Sequence, residues 1–343
     1  MGGMELVLPW LFAPFLGFLI LGVPVAFSLI LASAVFLLFS GTRIPPLVMA
    51  SQLYGGLDSF ALLALPMFVL TGELLNRLNL TERLIEVARL LVGWVKGGLA
   101  HVNVVTSMFF AGISGSVLAD AASIGPVLIP AMIRERYPAA FSAAVTGASA
   151  VIGAIIPPSI PLIIVGGSMQ ISISGLFAAG IVPGILVGLS LMLTSFLFAV
   201  FRGYGEVHRF EGAVPVAKGT FRALPVLAIP VVILYGILGG VMTPTEAGAV
   251  AALYAMILGA IYGVVEGSFS LRKLVDACIG TAKVTGSSLL IVGGAIVFGQ
   301  ILIFHQFPQD LLETVLSITE NRLVLFLLIV AFFLFVGTFM DAV

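Results

Sequence analysis

Long apolar runs dominate this chain, and short polar or helix-breaking clusters divide them. The runs fall at 6–22, 24–40, 59–76, 97–131, 140–168, 172–200, 223–240, 244–265, 285–304 and 323–343. A crossing helix needs about 20 apolar residues, so these runs predict helices that cross or enter a bilayer. Run 97–131 is too long for one plain crossing and is interrupted by Ser114-Gly115-Ser116 and Asp120. It predicts a re-entrant helical hairpin that enters and leaves on the same side. Run 140–168 contains Ile156-Pro157-Pro158-Ser159-Ile160-Pro161, where prolines remove helical hydrogen bonds and predict a broken helix. Between runs, 78–95 sets Leu80, Leu84, Ile85 and Leu91 against Arg83, Glu86 and Arg89. That pattern predicts an amphipathic arm helix along the membrane interface, or else an ordinary loop helix.

Composition fixes the class. The chain has 343 residues, of which 60% are hydrophobic and 9% charged, and its mean hydropathy is +1.23. So much apolar surface cannot be hidden from water, which predicts an all-α polytopic membrane protein. Cys278 is a single cysteine, and His101, His208 and His305 lie too far apart to suggest a metal-ligand motif. No HExxH, Walker A or GxSxG pattern occurs, and an enzyme is not expected. If 97–131 is re-entrant and every other run crosses, all of the 15 Lys and Arg except Arg43 and Arg322 share one side. The positive-inside rule makes that side cytoplasmic and the N-terminus periplasmic. Residues 1–20 lack a basic n-region, so the first run is read as a retained span.

The second half echoes the first. Leu21-Gly22-Val23-Pro24 has a counterpart in Gly240-Val241-Met242-Thr243-Pro244, and Leu118-Ala119-Asp120-Ala121 in Phe339-Met340-Asp341-Ala342. The offset is about 220 residues and the two halves start on opposite sides, which is the arrangement of inverted-repeat transporters with discontinuous helices. Residues 1–200 form the first repeat, with scaffold helices, arm helix 78–95, hairpin 97–131 and broken helix 140–168. Residues 201–222 are the cytoplasmic linker loop, and 223–343 form the second repeat. By symmetry the second repeat is expected to be truncated at the start of its hairpin.

Polar groups at bilayer depth are expensive and point to a solute path. Sodium is a hard cation that prefers oxygen ligands. Hydroxyls of Ser114, Ser116 and Ser159, with carbonyls released at Gly115 and Pro157, make a candidate sodium site. Helix N-termini at the same breaks would draw the anionic group of a substrate. The competing reading of Ser114-Gly115-Ser116 is a small-residue helix contact. Asp120 pairs with a hairpin-tip amide, caps a helix or titrates in transport. Asn103 makes a hydrogen bond inside the bundle, or contacts ion or substrate. Thr243-Pro244-Thr245-Glu246 has the form of a capping box, and Glu73 is placed to pair beside Arg77. Neither 97–131 nor 140–168 contains Lys or Arg, so bound cations and helix dipoles would have to balance a carboxylate substrate.

Five motifs carry a family resemblance. They are Gly56-Leu57-Asp58-Ser59-Phe60 with Leu65-Pro66-Met67-Phe68, Gly97-Gly98-Leu99-Ala100-His101-Val102-Asn103, the Ser114-to-Asp120 block, Ile156-Pro157-Pro158-Ser159 and Thr243-Pro244-Thr245-Glu246-Ala247. In this order they resemble the large membrane subunit of tripartite ATP-independent periplasmic (TRAP) transporters. The resemblance implies an elevator-type, sodium-coupled importer in a bacterial inner membrane. It further implies a small four-helix membrane subunit and a periplasmic binding protein that delivers an organic acid, a C4-dicarboxylate or related carboxylate. Na+ enters as the coupling ion, the lipid bilayer is the surrounding phase, and nucleic acid is not an expected partner. Ser114 and Ser159 with their neighbours would form the first ion site and part of the substrate site, and Asp341 would open the second hairpin. The alternative is an ion-coupled secondary transporter of similar architecture that needs no binding protein.

Overall fold

The computed structural model describes residues 3–42, 44–206, 212–319 and 321–338. Every regular element among them is helical. Helix α1 (Gly3–Val7) passes through a π-turn at Leu8–Phe12 into α2 (Ala13–Ile20), and Gly22 at φ +80° turns the chain into α3 (Val25–Phe39). Helix α4 (Pro46–Leu57) follows. A 3-10 turn at Phe60–Leu63 opens α5 (Ala64–Arg77), after which come α6 (Leu80–Val92), α7 (Gly98–Ser114), α8 (Val117–Arg134) and α9 (Ala139–Ala150). A second 3-10 turn, Val151–Ala154, leads to the break before α10 (Ile160–Met169). The remainder is α11 (Ile173–Arg202), α12 (Ala213–Leu238), α13 (Pro244–Val265), α14 (Leu271–Phe304), α15 (Phe307–Ile318) and α16 (Arg322–Gly337).

Contacts group these helices into two units, 1–59 with 286–343, and 60–285. The first unit has its own core of Leu11, Phe15, Leu29, Phe36, Phe298 and Ile301, with Phe12 edge-on to Phe298 at 5.5 Å. Helix α16 has no buried residue, and Phe332 to Phe335 are each more than half exposed, a surface suited to lipid. The second unit holds the larger core, including Phe68, Leu84, Phe110, Ile113 and Phe177. There α13 presents Ala247, Ala251, Ala255, Gly259 and Gly263, one small residue every turn, so neighbouring backbones come close. A Cβ on Gly248 would stand 2.8 Å from the Met67 Cβ of α5, which shows how tightly that pair is packed.

Among the described residues, six helices are long and apolar enough to cross a membrane, and the shorter apolar ones include α7 and α10. The chain is therefore a multi-pass helical membrane protein. Two boundaries differ from expectation. Helix α14 runs unbroken over 34 residues from Leu271, because its first half is a charged amphipathic helix that a hydropathy run over 285–304 does not register. The linker expected over 201–222 is shorter, since α12 already begins at Ala213. Helix α6 buries Leu80, Leu84, Val87 and Ala88 against protein, while Leu91 of the same stripe is 40% exposed. Arg83, on its polar side, pairs with Glu266 and lies 3.7 Å over the Tyr262 ring, tying α6 to the end of α13.

Candidate functional site

The two irregular places in the second unit meet. Helix α7 stops because Gly115 takes a left-handed conformation, φ +62°, as its C-cap. A side chain at Gly115 would run into the carbonyl oxygen of Pro158. Ser116 is extended, at φ −124° and ψ 122°, and its Oγ accepts from the Ala119 amide at 3.3 Å to cap α8. Ser159 repeats that geometry at φ −125° and ψ 124°, and its Oγ accepts from the Leu162 amide at 3.3 Å to cap α10. The Ser159 hydroxyl also donates to the Ala154 carbonyl at 2.6 Å. Between the two caps, the Ile160 amide donates to the Gly115 carbonyl at 3.1 Å. Ser114 lies beside them, with its Oγ 3.4 Å from the Ser116 amide.

Ser114, Gly115, Ser116, Pro157 and Ser159 therefore belong to one cluster, in which Ser114 and Ser159 are fully buried. The cluster contains the carbonyl end of α7 and of the Val151–Ala154 turn together with the amide ends of α8 and α10. A helix C-terminus offers partial negative charge to a cation and a helix N-terminus partial positive charge to an anion. Backbone and hydroxyl groups at this one junction thus carry both signs of partial charge. Neighbouring helices press on it through glycines. Gly72 of α5 would place a Cβ 2.9 Å from the Ser114 Cβ, and Gly112 of α7 one 3.0 Å from the Pro230 Cβ of α12. Gly180 and Gly184 of α11 leave room for the Ile155 carbonyl and the Ile156 side chain.

Other expected site residues lie elsewhere. Asn103 sits eleven residues before Ser114, about 16 Å along α7. It is wholly buried; its Nδ2 donates to Thr146 Oγ1 at 2.7 Å and its Oδ1 accepts from Ser149 at 3.1 Å. The hydrogen bond expected for it inside the bundle is present. Asp120 does not cap α8, since Ser116 does; its Oδ1 accepts from the Ser107 hydroxyl at 3.3 Å. Thr243 and Glu246 form the expected capping box at the start of α13, with the Thr243 amide donating to Glu246 Oε2 at 2.8 Å and Pro244 in the first turn. Thr245 instead donates to the Phe60 carbonyl at 2.8 Å. Glu73 pairs with Arg77 at 2.8 Å. Asp341 lies outside the described residues.

Ser107, Thr146 and Ser149 were not anticipated from sequence. The signal for two of them was present: Ser142, Thr146 and Ser149 recur at helical spacing along one side of an alanine-rich apolar run. All three are buried.

The family of the tripartite ATP-independent periplasmic transporter, DctM component, matches residues 12–343. A sialic acid TRAP transporter large permease protein from Vibrio cholerae is 41% identical over 327 residues, 95% of this chain and 75% of that one. A 2,3-diketo-L-gulonate TRAP transporter large permease protein from Escherichia coli is 36% identical over 328 residues, 95% of this chain and 76% of that one. An isethionate TRAP transporter permease protein from Oleidesulfovibrio alaskensis is 38% identical over 336 residues, 98% of this chain but 52% of that one.

Proposed function

Because this chain belongs to the DctM-component family of tripartite ATP-independent periplasmic transporters, and is a transporter's large permease rather than an enzyme, we propose that it couples import of an organic acid to sodium. The observation that carries this reading is the junction of Gly115 with Ile160 between two serine-capped helix starts. Hydroxyl and carbonyl oxygens at Ser114, Gly115, Ser116, Pro157 and Ser159, all buried except the half-buried Ser116, suit a hard monovalent cation. The amide ends of α8 and α10 suit the acidic group of the cargo. No Lys or Arg lies in α7, and the single one in α8 is Arg134 at its far end, so the cation itself offsets the charge of the cargo. Substrate binding then depends on sodium.

The relatives are named for sialic acid, 2,3-diketo-L-gulonate and isethionate. All three are organic anions, two carboxylates and one sulfonate, which supports an acidic organic cargo without singling out C4-dicarboxylates. The word tripartite supports two further components, a small membrane subunit and a periplasmic binding protein. An elevator movement of the unit that holds the breaks, with the N-terminus periplasmic and the basic loops cytoplasmic, completes the reading.

The test is uptake into proteoliposomes that hold the complete transporter, with and without a sodium gradient and the binding protein. Uptake that requires both is expected. Uptake indifferent to sodium overturns the coupling, and full uptake without the binding protein favours a transporter that works alone.

A further inference from the structure

Buried polar side chains join α7, α8 and α9 at a distance from the helix breaks. Asn103 Nδ2 donates to Thr146 Oγ1 at 2.7 Å, and the Thr146 hydroxyl donates to the Ser142 carbonyl at 2.8 Å. Ser149 Oγ donates to Asn103 Oδ1 at 3.1 Å and stands 3.1 Å from Ser107 Oγ, which reaches Asp120 Oδ1 at 3.3 Å. Asn103, Ser107, Asp120, Thr146 and Ser149 are each at most 4% exposed. No water competes for these groups at such depth, so each lost partner leaves a polar atom orphaned.

The two helices so joined are the ones that lead into the breaks. Ser107 is seven residues, about 10 Å, before the end of α7 at Ser114. Ser149 is followed within five residues by Ala154, whose carbonyl holds the Ser159 hydroxyl. Sliding α9 along α7 by one turn, about 5.4 Å, would break the Asn103, Thr146 and Ser149 contacts together. Apolar contacts between small residues would resist such a slip far less, because they are much alike in either register.

We infer that Asn103, Ser107, Thr146 and Ser149 are positioning residues that fix the register of α9 on α7 and so bring Gly115 against Ile160. None of them touches the ion in this account; they act through the backbone of the break. Only the second measurement below rests on the proposed sodium site.

The experiment uses the intact transporter in lipid nanodiscs with two variants. Thr146→Val keeps the shape and removes the hydroxyl, whereas Thr146→Ser keeps the hydroxyl. The first measurement is hydrogen exchange of the peptide around Ile160. Between Pro157 and Pro161 only Ser159 and Ile160 carry amide hydrogens, so the readout is narrow. Thr146→Val is expected to speed exchange there about tenfold, and Thr146→Ser to leave it near wild type. The second is the sodium concentration that half-protects the protein against heat, expected to rise about tenfold in Thr146→Val only. Unchanged exchange in Thr146→Val, or equal acceleration in both variants, overturns the positioning role. Faster exchange in Thr146→Val alone, in a protein whose wild type never responds to sodium, supports the positioning role and counts against the ion site instead.

Discussion

The amide of Ile160 donates to the carbonyl of Gly115 at 3.1 Å, although 45 residues of chain separate them. That bond turns two helix breaks into one structure. Each break alone exposes backbone groups that the membrane interior cannot hydrate. Brought together, they satisfy each other in part, the Gly115 carbonyl through Ile160 and the Ala154 carbonyl through Ser159. The first consequence concerns Gly115 itself. Its φ of +62° disfavours any residue with a Cβ, and the Pro158 carbonyl occupies the place a Cβ would take. Gly115→Ala is expected to cost about 1–2 kcal/mol from the backbone alone, with more from the displaced Pro158 segment. A thermal unfolding scan in detergent would show a lower midpoint; an unchanged midpoint would mean the two breaks do not sit this close.

The two capping serines separate structure from ion binding. Ser159→Ala removes the Leu162 cap and the donor to Ala154, which is expected to cost about 1 kcal/mol, typical of a lost N-cap. Ser114 makes only a long contact with the Ser116 amide, at 3.4 Å, so Ser114→Ala should cost less stability. If both hydroxyls face the cation, each alanine variant raises the sodium concentration for half-maximal uptake while expression stays normal. Unaltered sodium activation in both variants would remove these hydroxyls from the site.

The Thr243 capping box supplies the opposite pattern. It is exposed, and its hydrogen bonds to Glu246 account for both side chains. Thr243→Ala is expected to destabilise α13 by about 1 kcal/mol without shifting the sodium dependence of uptake. A large change in that dependence at unchanged stability would give this motif a role in transport that its geometry does not suggest.

How much of this was readable in advance depends on the range of each interaction. The break between α7 and α8 was legible because Ser114-Gly115-Ser116 interrupts an apolar run and glycine is the residue best suited to a left-handed C-cap. The break before α10 was legible for the same local reason, through Pro157 and Pro158. The contact between them was not, since nothing in either motif specifies its partner. Asn103 shows the same limit: its partners Thr146 and Ser149 lie 43 and 46 residues away. The start of α14 was hidden because Arg272, Lys273 and Asp276 lower hydropathy without ending a helix. The amphipathic pattern of α6 was plain, but amphipathicity alone does not say whether lipid or protein covers the apolar stripe.

That covering of α6 leads to the last prediction. Arg83 is held twice, by the Glu266 carboxylate and by the face of the Tyr262 ring, while its side chain is only 24% exposed. Both partners lie in the last turn of α13 or just beyond it, so the contact fastens α6 to that end. An exposed ion pair alone contributes little, about 0.5 kcal/mol, and the Glu266 side chain is half exposed. The cation–π contact is partly shielded and adds about 1 kcal/mol. Arg83→Lys keeps the charge but gives up the planar group that lies over the ring, whereas Glu266→Gln removes only the ion pair. Arg83→Lys should therefore lower the thermal midpoint more than Glu266→Gln does, and raising the salt concentration should narrow the effect of the second but not of the first. If Glu266→Gln is the more damaging change, the ion pair and not the ring holds the helix, because screening and desolvation would then have been weighed the wrong way round.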